Sequence, residues 1–91
     1  MYEQIWTSHF RRDIRRSERQ NKSMNKLKDI VRLLCAGKSL PPQNRDHNLT
    51  GNYVGHRECH ISPDWLLIYR VNEDEKIIEF VRIGSHSDLF S

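Results

Sequence analysis

Four of the five histidines fall in the second half of the chain, with an aspartate, a tryptophan and an arginine spaced among them. His47, His56 and His60 precede the run Ser62-Pro63-Asp64-Trp65, and Arg82 and His86 follow it. Imidazole takes up or releases a proton near neutral pH, and a placed acid or base contributes roughly 10²–10⁴-fold to a reaction. Guanidinium matches the paired oxygens of a phosphate better than an ammonium does. Imidazoles, one carboxylate and one guanidinium therefore suffice to open a phosphodiester without a metal ion.

Each residue also has a plainer reading. His86, after Gly84-Ser85, lies on no apolar face and fits a solvated terminal side chain. His60 fits a satisfied strand histidine, His47 a loop residue, and Asp64 after Pro63 a turn former. Trp65 is either core or, at an exposed edge, a stacking plane worth about 1–3 kcal/mol per base. Arg82 alternates with Ile78 and Phe80, so it needs Asp64 or Glu58 as a partner, or a phosphate. His56 and His60 are four apart on a strand, roughly 13 Å, too far to share one ion, so no metal is expected.

The elements that must position these groups divide into two halves. Residues 2–6 alternate as a short first strand. Residues 8–20 form a helix with a thin apolar face, Phe10 and Ile14, and a surface rich in Arg11, Arg12, Arg15, Arg16 and Arg19. Like charges at i, i+4 each cost a helix about 0.2–0.5 kcal/mol, so stability alone does not explain them. They point to a polyanionic partner. A second helix over residues 24–36 repeats Met24, Leu27, Ile30, Val31 and Leu34 on one face, with Gly37 at its left-handed end. Prolines make residues 39–46 an extended loop. Strands follow over residues 56–61, 65–71 and 76–83, with a turn at 72–75. The expected class is α+β in one domain, residues 1–91: a strand, a helical hairpin, then a three-stranded antiparallel meander covered by the second helix.

A four-residue turn at 72–75 puts Val71 opposite Lys76 and Trp65 opposite Arg82. Closing the preceding turn with His60 opposite Trp65 then aligns His60, Trp65 and Arg82 in one row on one face. Such a row spans roughly 10 Å, the scale of a nucleotide and its phosphate. A slip of one residue would turn Trp65 or Arg82 away.

The formal charge is +3, but residues 1–45 hold 11 Lys/Arg against 4 Asp/Glu (+7) and residues 46–91 hold 4 against 8 (−4). The basic half and the histidine half are different surfaces. Cys35 and Cys59 form no Cys-x-x-Cys pair and read as reduced, buried thiols. Cys59 and His60, as strand neighbours, point to opposite faces. The opening Met1-Tyr2-Glu3-Gln4 has no leader character, and the run Trp65 to Tyr69 is far short of the ~20 apolar residues that span a bilayer. A cytoplasmic protein is expected, with no membrane partner.

The order Asp46-His47, Gly55-His56-Arg57-Glu58-Cys59-His60, Pro63-Asp64-Trp65-Leu66-Leu67-Ile68-Tyr69, Arg82-Ile83-Gly84-Ser85-His86 and Leu89-Phe90 resembles the YafQ-type toxins. These belong to the RelE/ParE superfamily of bacterial toxin–antitoxin modules. The resemblance spans nearly the whole chain and is densest from Asp46 onward. It implies a RelE-like fold and a ribosome-dependent endoribonuclease that cuts mRNA in the A site by 2′-hydroxyl attack, with no cofactor. It implies that His86 is the principal proton-transfer residue, with His47, His60 and Asp64 sharing the remaining acid–base and orienting roles. Arg82 would stabilise the phosphate, Trp65 and Phe90 would hold the RNA, and Arg11, Arg12, Arg15 and Arg16 would meet RNA. Which imidazole is acid and which is base stays open.

The implied partners are an antitoxin, received on the basic helices or the concave sheet, and mRNA with ribosomal RNA. Operator DNA would be bound only through the antitoxin complex. Two alternatives remain: a ParE-like toxin that poisons gyrase, and an inactive antitoxin-binding module. ParE-type relatives lack the histidines, so His47, His60 and His86 weigh against the first.

Overall fold

The five apolar residues Trp65 to Tyr69 show no polar alternation because both of their faces are covered, and all five are buried. A computed structural model describes residues 1–90. Trp65–Asn72 forms β4, the middle strand of a five-stranded mixed sheet of β1 (Glu3–Trp6), β2 (His47–Asn48), β3 (Arg57–Ser62), β4 and β5 (Ile77–Gly84), in the order β1-β5-β4-β3-β2. Its neighbours are the antiparallel strands β3 (Arg57–Ser62) and β5 (Ile77–Gly84). Trp65, Leu67 and Tyr69 face the helical layer, and Leu66 and Ile68 face the other side.

The expected meander is thus present but forms only the centre of the sheet. β1 (Glu3–Trp6) adds a parallel edge strand, with Glu3 opposite Ile77 and Trp6 opposite Phe80. At the other edge β2 (His47–Asn48) pairs with Glu58 and Arg57, in a segment whose length and polarity gave no strand signal. Two-residue strands carry no readable alternation, so only tertiary pairing creates them.

The helical hairpin is α1 (Ser8–Arg19) and α2 (Met24–Cys35). Thr7 caps α1 by accepting from Phe10 N at 3.0 Å, while its hydroxyl donates to the Val81 carbonyl at 2.8 Å. Leu27, Ile30 and Leu34 of α2 complete the core against the sheet. Gly37, at φ +72°, ends α2 in the left-handed conformation that its lack of Cβ favours. The buried face of α1 is Phe10, Asp13 and Ser17 rather than Phe10 and Ile14 alone. Asp13 is polar because α1 lies beside β5 where β1 has ended and the strand edge needs a partner, and Ser17 because it accepts from the Trp65 indole. Among the described residues, no helix is long and apolar enough to cross a membrane.

The register departs from the simple count in two places. Asn72 pairs with Ile77 and Val71 with Ile78, so the β4–β5 turn is residues 73–76, with Lys76 left-handed at φ +54°. Pairing then passes from Tyr69–Phe80 to Ile68–Arg82, which leaves Val81 as an extra residue. A bulge of this kind reverses the facing of the residues beyond it. Arg82 is thereby turned away from Ile78 and Phe80 and placed beside Ile68 on the open face. A second irregularity between His60 and Ser62 sets Trp65 opposite Ser62 and His60 opposite Leu66. Trp65 therefore leaves the expected row and enters the core.

Candidate active site

On the open face, directly opposed residues form two neighbouring rows. His47, Glu58, Ile68 and Arg82 make one across β2, β3, β4 and β5, and His60, Leu66 and Gly84 make the next. His60 and Arg82 share this face but not a row. The chain then turns back in α3 (His86–Phe90), whose Leu89 packs on Leu66 and Ile68.

Gly84 permits that return. A Cβ there would lie 3.0 Å from both Arg16 Nη2 and the Asp88 Cβ. Ser85 and Asp88 close the turn reciprocally, with Ser85 N donating to Asp88 Oδ2 and Asp88 N to Ser85 Oγ, each at 3.1 Å. The Ser85 N–H holds the Asp88 carboxyl below its ordinary range.

His86 is held by Asp64 from the β3–β4 turn. Asp64 Oδ1 accepts from His86 N at 3.0 Å and pairs with His86 Nδ1 at 2.7 Å. Those two bonds, the backbone one first, lower the Asp64 carboxyl below its ordinary range. Since an ionised carboxylate only accepts, Nδ1 bears hydrogen, and Nε2 is left as the nitrogen that exchanges a proton.

The imidazoles of His86, His60 and His47 follow one another across the face, with ring centroids 5.8 Å and then 6.5 Å apart. Beside them lies a cleft of about 520 Å³ lined by Asn44, Arg45, His60, Ser62, Pro63 and His86, among others. Asn44, buried, donates to the His60 carbonyl at 2.7 Å and ties the loop to β3. His47 is fixed through its neighbour: Asp46 Oδ1 accepts from Tyr69 Oη at 2.6 Å and Arg57 Nε at 3.2 Å. Five sequence-nominated groups (His47, His60, Asp64, Arg82 and His86) thus reach one side of the sheet.

Arg82 has a partner that the sequence did not offer. Asp13 of α1, 3% exposed, accepts from Arg82 Nε at 2.7 Å and Nη2 at 3.2 Å. Neither Asp64 nor Glu58 neutralises it. Asp13 also accepts from Ile83 N at 3.1 Å, the strand-edge amide that β1 is too short to reach.

Trp65 cannot hold RNA in this fold. It is 1% exposed beneath the helices, and its Nε1 donates to Ser17 Oγ at 3.3 Å. The exposed aromatic surface beside the site is Phe90, 47% exposed, with Tyr53 edge-on at 5.9 Å. Tyr53, from the 3₁₀ turn Gly51–Tyr53, escaped sequence reasoning because nothing in its local pattern ties it to the distant tail. His56 packs against Tyr53 rather than joining the other imidazoles. Glu58 was legible in principle: two residues before His60 on one strand, it must share its face.

The arginines divide. Arg12 and Arg15 are exposed on α1, whereas Arg11 lies over the Trp6 ring at 5.6 Å. Arg16 turns inward to Asp13 at 3.1 Å and Asp88 at 3.6 Å, so it braces α3 instead of offering a free cation. Cys35 and Cys59 are buried, unbridged thiols. Burial pushes the Cys59 thiol up, out of the range of a nucleophile, on the face opposite His60.

A mixed sheet backed by a helical hairpin, with imidazoles, a carboxylate and an arginine on its open side, is the architecture of a small bacterial toxin. The profile of the bacterial toxin of type II toxin–antitoxin systems, YafQ, matches residues 2–91, and the chain belongs to that family. The mRNA interferase toxin YafQ of Escherichia coli K12 is 36% identical over 86 residues, covering 93% of this chain and 91% of that protein. The solved E. coli DinJ–YafQ complex superposes with a TM-score of 0.92 at 34% identity, covering 100% of both chains. A metal-bound toxin from Helicobacter pylori superposes with a TM-score of 0.93 at 33% identity, covering 99% of this chain and 100% of that one. In the present chain, no three His, Cys, Asp or Glu side chains among the described residues are grouped as ligands for an ion.

Proposed function

We propose that this chain is the toxin of a type II toxin–antitoxin pair and an endoribonuclease that cuts mRNA in the ribosomal A site. The ribose 2′-hydroxyl attacks the adjacent phosphate, giving a 2′,3′-cyclic phosphate and a 5′-hydroxyl. The observation that carries this reading is the file of three imidazoles on one open face, the last oriented by Asp64. Such chemistry needs a base, an acid and positive charge near the pentavalent phosphorus. His86 is the principal proton-transfer residue, with His47, His60 and Asp64 in the other acid–base and orienting roles. Arg82 supports the phosphate through the donors that Asp13 leaves free, and Phe90 contacts the RNA. Arg12 and Arg15 meet ribosomal RNA, and Arg11 lies beside them.

The solved E. coli DinJ–YafQ toxin–antitoxin complex supports an antitoxin partner for this chain as well. An antitoxin received on the basic helices or the open face would block the site, and operator DNA would be bound through that complex. The test is primer extension on a message translated with this protein and with its His86→Ala variant. Cleavage by the wild type, lost in the variant, supports the reading. Intact message, or replication arrest before translation arrest, overturns it.

A further inference from the structure

Glu58 lies beneath the imidazoles, 4% exposed, and the proposed catalytic roles leave it without a task. Its Oε1 is 3.4 Å from His47 Nε2 and 3.8 Å from His60 Nε2. Its Oε2 is sealed from solvent without a hydrogen-bond partner among the described residues. A buried carboxylate with an unmatched oxygen is costly unless positive charge lies close.

The other side of His47 shows where that charge resides. Nδ1 is 2.6 Å from the Arg45 carbonyl oxygen, which only accepts, so Nδ1 bears hydrogen. In a neutral ring this leaves a bare lone pair on Nε2 opposing Oε1, acceptor against acceptor. A proton on Nε2 removes the conflict and supplies the missing charge. The surrounding groups do not supply it instead. On β3, Arg57 turns to Asp46 and Asn48, and His60 stands farther off than His47. β4 contributes the uncharged Ile68, and Arg82 of β5, in the same row, is engaged by Asp13. From the 3₁₀ turn, Tyr53 packs on the Ile68 cluster and brings only a hydroxyl.

We propose that Glu58 is a positioning residue that keeps a proton on Nε2 of His47, so that His47 enters the reaction as its acid. This inference rests on the endoribonuclease reading. The 2′-oxygen–phosphorus bond forms as the phosphorus–5′-oxygen bond breaks. The 2′-hydroxyl proton passes to a base, for which the free Nε2 of His86 is suited by its Asp64 bond. The Nε2 proton of His47 passes to the departing 5′-oxygen, leaving the neutral Nδ1–H ring on Arg45. Protons balance, and no oxidant or co-reactant is involved.

The test is ¹⁵N NMR of the histidine rings in the free wild-type protein at pH 7, joined to the pH profile of cleavage. The expected wild-type spectrum has both His47 nitrogens protonated. In Glu58→Gln, His47 reverts to the neutral ring, and the alkaline limb of cleavage moves toward acid by about one pH unit. Glu58→Asp restores part of both effects, as a merely structural role would not. A bare Nε2 on His47 in the wild type, or an unmoved alkaline limb in Glu58→Gln, overturns the proposal. The wild-type spectrum stands even where a variant does not fold. It is also read without RNA, so failure of the proton assignment is distinct from failure of the wild type to cut RNA.

Discussion

Asp13 and Arg82, sixty-nine residues apart, meet through two hydrogen bonds of 2.7 and 3.2 Å at the edge of the open face. The same carboxylate caps Ile83 N and braces Arg16, so one buried acid joins α1, the freed edge of β5 and the return into α3. Its hydrogen bonds also strengthen the hold of Arg82 on its proton, which keeps the guanidinium charged throughout the working pH range.

Removing that acid leaves Arg82 partly buried and unpaired. Asp13→Ala is expected to lower stability by about 3 kcal/mol, the low end for breaking a buried pair, because Arg82 keeps some solvent contact. Urea denaturation checks this. A double-mutant cycle with Arg82→Ala should give a coupling of at least about 0.5 kcal/mol, and additivity would refute the link.

His86→Ala and Asp64→Asn separate chemistry from folding. Both residues are exposed, so each variant should unfold within about 0.5 kcal/mol of the wild type. His86→Ala should slow cleavage by about 10²–10⁴-fold. Asp64→Asn should slow it less, since the imidazole remains. Thermal melts beside single-turnover rates decide the matter.

Asp64 also predicts an acid limit for α3. Its carboxyl is held below the ordinary value of 3.8, chiefly by the His86 N–H and then by the His86 ring. A depressed folded-state value means that this contact is fully present above pH 3.8 and is lost as pH falls through the lower folded value. Amide exchange in residues 86–90 should therefore be constant from pH 5 to pH 4, after correction for intrinsic rates, and should rise below. Loosening that begins near pH 6 would contradict it.

Trp65 and Phe90 should behave oppositely. Trp65→Ala is expected to cost about 3–5 kcal/mol of stability as a core truncation. The milder Trp65→Phe should leave RNA affinity unchanged. Phe90→Ala should leave the melting temperature alone and weaken RNA binding by about 1–3 kcal/mol if a base stacks there. Fluorescence titration with a short RNA distinguishes the two.

The exposed arginines make a salt-dependent prediction. Arg12→Gln and Arg15→Gln should each weaken ribosome or RNA binding and lower the slope of log affinity against log salt by about 1. Arg16→Gln should act through stability instead, because its guanidinium is engaged by Asp13 and Asp88.

Both long helices and the strands β1, β3, β4 and β5 were legible along the chain, whereas β2 and α3 were not. Helical spacing marked α2, Gly37 marked its end, and an uninterrupted apolar run marked β4, since local periodicity and backbone preference act over a few residues. Alternation likewise placed Cys59 and His60 on opposite faces. What local pattern could not reach was set by contacts between distant segments. The bulge at Val81 arises where β5 outruns β1 and its edge is taken over by Thr7 and Asp13 of the helical layer. That single extra residue turns Arg82 to the open face, and the irregularity after His60 sends Trp65 to the core. Asp13, Tyr53 and the return of His86 onto Asp64 belong to the same class. Their sequence separations carry no periodic signal, and only the packed sheet decides which side chains meet.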